Sequence, residues 1–158
     1  MSVILRRITR RTGKGEGGQS LVEFTFVLPI FLLVLFAIID FGMAFNTWIT
    51  VTNSAREGAR LGAVHPPLLN VPSSPCNGKS SLEQCIEDRV RATADTLNQA
   101  NLDVSVQGAQ GTVGESVVVD VSYAYSLITP LANIMGMVSG GSIGETLNLS
   151  STADMRLE

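Results

Sequence analysis

The sequence predicts an α+β chain: a long amino-terminal transmembrane and stalk helix, followed by a small domain in which a helix packs on a short antiparallel sheet. Three observations carry this class. Phe24 to Phe45 is a 22-residue apolar run whose single charge is Asp40, and at ~1.5 Å per residue it makes roughly 33 Å of helix, enough to cross a ~30 Å hydrocarbon core. Leu82, Cys85, Ile86, Val90, Ala94 and Leu97 recur mostly at three- and four-residue steps, the mark of one helix with a buried stripe. Leu102–Gln107, Ser116–Leu127 and the segment from Leu147 to Leu157 carry the alternation or the valine and tyrosine enrichment of strands.

The expected organisation is a basic leader over residues 1–18, a transmembrane and stalk helix over 19–64, and an outer α+β domain over 65–158. In the leader, Arg6, Arg7, Arg10, Arg11 and Lys14 face one acid, Glu16. Positive charge beside an apolar span holds that flank in the cytoplasm, so the rest of the chain is expected outside the inner membrane, in the periplasm. Beyond Gly18, six basic residues stand against thirteen acidic ones, an acidic exterior that argues against nucleic acid as a partner. A cleaved secretory signal fits less well, because its apolar region is about 7–15 residues and ends at an A-x-A-like site.

Within the span, Pro29 removes one helical hydrogen bond and predicts a kink near Thr25–Pro29, which membrane helices tolerate. Glu23 is the fifth residue after Gly18, where an ionised carboxylate facing lipid is costly and needs a partner or a shallow position. Asp40 raises the same question nearer the outer face, with contact to water and a packing or pairing role between helices as the two readings. No proline interrupts Asn46–Val64, so the helix is expected to continue from Gln19 to Val64, about 69 Å at ~1.5 Å per residue, as a stalk. Ala55, Ala59 and Ala63 form one small-residue row and Gly58 and Gly62 another, permitting close helix approach. Glu57 and Arg60, three apart, are placed to pair on one face.

Prolines 66, 67, 72 and 75 make Pro66–Lys79 a loop. Ser80-Ser81-Leu82-Glu83 then reads as a capping box, with Ser80 and Glu83 closing the amino end of a helix over Ser81–Asn98. Cys76 and Cys85 lie nine positions apart, and export to an oxidising compartment predicts a disulfide between them. A metal site is not expected, since His65 is the only histidine. Gly108, Gly111 and Gly114 mark a turn between two strands, Thr129-Pro130 begins a short helix through about Met137, and Gly140-Gly141 breaks it. Asp120 is expected to face solvent, and Tyr123 and Tyr125 to pack on one face.

No enzyme signature is present and no cofactor is implied. The glycine-rich stretch at 140–144 lacks the lysine and following hydroxyl of a phosphate-binding loop, and no serine stands in a nucleophile elbow. Asn148-Leu149-Ser150 fits a glycosylation sequon only by chance on a strand.

The stretch G-Q-S-L-V-E-F-T-F-V-L-P-I-F-L-L-V-L-F-A-I-I-D-F-G from Gly18, continued by N-S-A-R-E-G-A-R-L-G-A from Asn53, resembles the TadE-like family of minor pseudopilins in bacterial tight-adherence (Flp, type IVb) pilus systems. The ending T-A-D-M-R-L-E is a weaker match. Five residues beyond Gly17 is Val22, and five beyond Gly18 is Glu23, so Gly18 alone has a carboxylate at the offset that a prepilin peptidase reads. The resemblance implies cutting between Gly18 and Gln19, Glu23 as the recognition and assembly carboxylate, and partners among other pilin-like subunits and inner-membrane pilus assembly proteins. Gln19 departs from the phenylalanine common after the cut in the wider type IV pilins. Two other readings are a signal-anchored periplasmic binding or adhesion domain, which would keep its leader, and a type II secretion pseudopilin, which would share the cut.

Overall fold

A computed structural model describes residues 16–64, 74–139 and 146–157. The leader before residue 16, the proline-rich stretch over 65–73 and the Gly140-Gly141 break lie outside the described residues. The element order is α1 (Glu16–Ala63), α2 (Leu82–Thr93), a 3₁₀ turn (Gln99–Asn101), β1 (Leu102–Gln107), β2 (Ser116–Ser126), α3 (Leu131–Ser139) and β3 (Thr146–Arg156). The chain divides into two compact units, Met1–Leu35 and Phe36–Glu158.

In the first unit, the described part of α1 is apolar on every side and exposed on nearly all of it, from Leu21 through Leu35. α1 is the one helix among the described residues long and apolar enough to cross a membrane. The helix continues through Pro29 without interruption. One turn earlier, the Thr25 hydroxyl donates to the Leu21 carbonyl at 2.7 Å.

In the second unit, α1 changes character. Val51, Ala55 and Ala59 are fully buried and Ala63 nearly so. Together with Ile86 and Val90 of α2 and Val117, Val119 and Val121 of β2 they belong to one core. The glycine row shows why the residues are small. A Cβ on Gly58 would stand 2.5 Å from Val90 Cγ2, and one on Gly62 would stand 2.9 Å from Ile86 Cδ1 and 3.0 Å from Val117 Cγ2. The sheet therefore carries on its inner face both α2 and the carboxyl-terminal half of α1, where sequence reading assigned it the single helix after Ser81.

The sheet is antiparallel in the order β1-β2-β3. Alternation sets its faces: Val117, Val119 and Val121 point inward, and Asp120 between them is exposed as expected and accepts from the Thr152 hydroxyl at 3.3 Å. Tyr125 is buried and Tyr123 half-buried, both on the packing face. The expected strand limits hold to within a residue. The β1–β2 turn requires Gly108, whose φ is +73° and where a Cβ would fall 2.2 Å from the Ser116 carbonyl oxygen.

Two local expectations are corrected. The amino-terminal cap of α2 is Ser81, one residue later than the capping-box reading, and its hydroxyl accepts from the Gln84 amide at 3.1 Å. Gln84, not Glu83, is thus the third helical residue, and its side-chain oxygen accepts from the Ser80 amide at 3.2 Å and from the Ser80 hydroxyl. α2 also ends at Thr93 rather than Asn98. Asp95, Thr96 and Asn98 are weak helix formers, and the Gln99 side-chain amide donates to the Ala94 and Leu97 carbonyls at 2.9 and 3.2 Å, closing the helix end.

The packing of Gly58 gives a paired test. Alanine raises helix propensity equally at Gly42, where a Cβ would meet nothing within 4 Å, and at Gly58. G58A is expected to be less stable than G42A by about 1–3 kcal/mol, the usual cost of overpacking, read as the difference in thermal unfolding of the detergent-solubilised chain.

Candidate functional site

The residues singled out by sequence fall into three places. Gly18, Gln19 and Glu23 lie together on the first turns of α1, all exposed. A Cβ at Gly18 would meet nothing within 4 Å, so its smallness serves no contact among the described residues. Among the described residues, no group of the chain pairs with the Glu23 carboxylate. A carboxylate on an apolar stretch of helix, with no partner among the described residues, is available to a partner from another molecule.

Asp40 is in a different condition. It is 2 % exposed, which excludes the reading of a residue bathed in water, and all its bonds are made within the chain. Oδ1 accepts from the backbone amides of Ile128 and Thr129 at 3.0 and 3.1 Å, and Oδ2 accepts from the Thr129 hydroxyl. The same hydroxyl accepts from the Leu131 amide at 3.3 Å, so Asp40 holds a threonine that in turn takes the first amide of α3. Sequence reasoning left Asp40 between water and a pairing role and had no signal for its partners, which lie 88 and 89 positions away. Beside this clamp, the Tyr125 hydroxyl is buried with no hydrogen-bond partner among the described residues. Burial, then the negative charge of Asp40, hold its proton on above the ordinary phenol range.

The third place joins α1 to α2. Glu57 bonds Arg60, as its spacing predicts, through two contacts of 3.0 Å. It also receives Arg89 from α2 at 2.6 Å, a partner that no local spacing announces. The hydrogen bonds from Arg60 and then Arg89 lower the Glu57 carboxyl from 4.5 to about 2. Cys76 and Cys85 form the expected disulfide, with Cα atoms 5.4 Å apart, fastening the end of the proline-rich segment to α2. No group of three or more potential metal-ligating side chains occurs among the described residues.

Because the folded carboxyl of Glu57 sits at about 2 rather than 4.5, its ion pairs contribute their full stabilisation above pH 4.5 and lose it as the pH falls towards 2. Both arginines are about half-exposed or more, so solvent screens the pairs and keeps the contribution small. E57Q should lower stability at pH 7 and show a shallower loss between pH 4.5 and 2 than the unmodified chain, as measured by urea unfolding across that range.

No curated protein and no solved structure matches this chain. Residues 18–60, which hold the exposed glycine and carboxylate, the apolar run, Asp40 and most of the small-residue rows, match the family described as TadE-like protein, the family that the amino-terminal motif resembles.

Proposed function

We infer that the protein is a non-enzymatic, pilin-like subunit of a tight-adherence pilus system, cut by a prepilin peptidase between Gly18 and Gln19 and then assembled through its amino-terminal helix. The observation that carries the reading is the pairing of an exposed Gly18 with an exposed, unpartnered Glu23 five positions on, inside the segment that matches the TadE-like family. The glycine offers a peptidase a site that no side chain obstructs. The carboxylate then meets the amine that the cut creates on a neighbouring subunit, an ion pair made in a low-dielectric setting, with the positive end of the helix adding to it.

The membrane segment in this reading runs from Gln19 to Ile39, about 31 Å at ~1.5 Å per residue. This is displaced towards the amino terminus relative to Phe24–Phe45, because Asp40 and Ala44 are buried in the Phe36–Glu158 unit. The leader stays in the cytoplasm by its charge, and the α+β unit lies on the periplasmic side, where its disulfide is stable. The partners are the peptidase, other pilin-like subunits and inner-membrane pilus assembly proteins.

Mass analysis of the amino terminus, with and without the peptidase, tests the reading. A chain beginning at Gln19 in its presence and retaining the leader in its absence is the expected result; an intact leader beside active peptidase overturns it. Replacing Gly18 with a bulky residue should leave the precursor uncut. E23A is expected to be cut less efficiently and to be lost from assembled pili while its thermal stability is unchanged, and normal incorporation of E23A would refute the assembly role.

A further inference from the structure

Along β2 and β3, the end of the Phe36–Glu158 unit nearest Asp40 carries no charge among the described residues, and Asp103 of β1, opposite Ser122, is the acid that borders it. No Asp, Glu, Lys or Arg occurs between Asp40 and Arg56, or between Asp120 and Glu145. The β2–β3 ladder turns this sequence fact into a spatial one. Its pairs from Ser122↔Ser150 to Ser126↔Thr146 hold no charged side chain, whereas the other end holds Ser116↔Arg156, Val118↔Asp154 and Asp120↔Thr152.

The uncharged end is also where apolar side chains lie open. Met137 of α3 is 87 % exposed, and Ile128, Ile134 and Leu147 are 64 %, 39 % and 44 % exposed. Soluble surfaces seldom gather such groups without a partner. An apolar recess joins them to α1, walled by Ala37, Phe41, Ala44, Leu127, Leu131 and Leu147 around Asp40. Ile38 and Ile39, at the end of the apolar run, are exposed in the same unit. Because Asp40 follows Ile39 directly and holds Ile128 and Thr129 through their amides, the segment leading into α3 lies within a helical turn of the exposed end of the apolar run.

We propose that this end of the outer unit is a membrane-seating surface: α3, Ile128 and Leu147 rest in the outer headgroup and acyl boundary of the bilayer that α1 crosses, and Asp40 fixes them at that depth. The lipid surface is chosen over a second copy of the chain because the exposed patch adjoins Ile38 and Ile39 at the end of the apolar run and because the β2–β3 pairs beside it hold no charged side chain. Exposed Phe41, Phe45 and Trp48 follow Asp40 within about two turns, in the zone where aromatic side chains gather at membrane interfaces. Asp40 answers the cost of an acid at that depth by taking its donors from the chain itself. The proposal rests on the membrane anchor of the preceding reading and not on the peptidase cut.

Full-length M137C and V113C, spin-labelled and reconstituted with the leader intact into vesicles of phosphatidylethanolamine and phosphatidylglycerol, test it. The native cysteines are bonded to each other and do not take the label. Val113, 81 % exposed before β2 at the charged end of the sheet, is the aqueous reference. The label at position 137 should be several-fold more accessible to oxygen, relative to a water-soluble nickel chelate, than the label at 113, and D40A should erase most of that difference. Equal access to the nickel chelate at both positions overturns the proposal. So does protection of position 137 from both reagents with spin–spin broadening that disappears on dilution with unlabelled chain, which assigns the surface to a second copy. Failure of the chain to enter vesicles refutes the anchor as well, whereas entry with a water-exposed position 137 refutes the seating alone.

Discussion

A carboxylate removed from water must be given donors, and at Asp40 they come from two backbone amides and a hydroxyl in the segment between β2 and α3. Charge-assisted bonds of this kind are the stronger ones, and losing the donors would leave a buried charge uncompensated. The interaction therefore fixes where α1 stops being an apolar rod exposed on all sides and becomes a core helix. It also fixes where the segment between β2 and β3 returns to that helix.

Past Asp40 the requirement on α1 is close approach. Residues without bulk at 55, 58, 59, 62 and 63 bring the helix against Ile86 and Val90 of α2 and the valines of β2. The domain is small, and a second helix over the sheet gives it a core that α2 alone would supply only in part. Glu57 reinforces the contact at the surface by taking Arg89 from α2 while holding Arg60 on its own helix. The disulfide supplies a covalent constraint between the loop and α2, in the range of 2–3 kcal/mol for a closure of this size.

The two acids of the apolar stretch of α1, Glu23 and Asp40, thus differ where sequence alone poses the same question for both. Asp40 is satisfied within the chain, and Glu23 has no partner among the described residues. A side chain already holding three donors has little left to offer another molecule, which is why the proposed assembly contact is placed on Glu23.

Much of this was readable along the chain, because it depends on neighbours a few residues apart. Apolar length gives the candidate membrane helix, three- and four-residue steps give α2, and alternation gives the three strands to within a residue. The glycine–glutamate offset and the charge of the leader supply the processing site and the orientation that we propose. What the pattern left open depends on segments that meet after long separation in sequence. A run of alanines and glycines states that something comes close, not that it is α2 and β2. An aspartate near the end of an apolar run states a need for donors, not that Ile128 and Thr129 supply them. Even the register of the α2 cap was open between two adjacent serines, and it is Ser81 that takes the extended conformation and accepts from the Gln84 amide, on a helix that buries Leu82, Cys85 and Ile86. Local preference selects the elements, and the burial of surfaces far apart in the chain selects their partners.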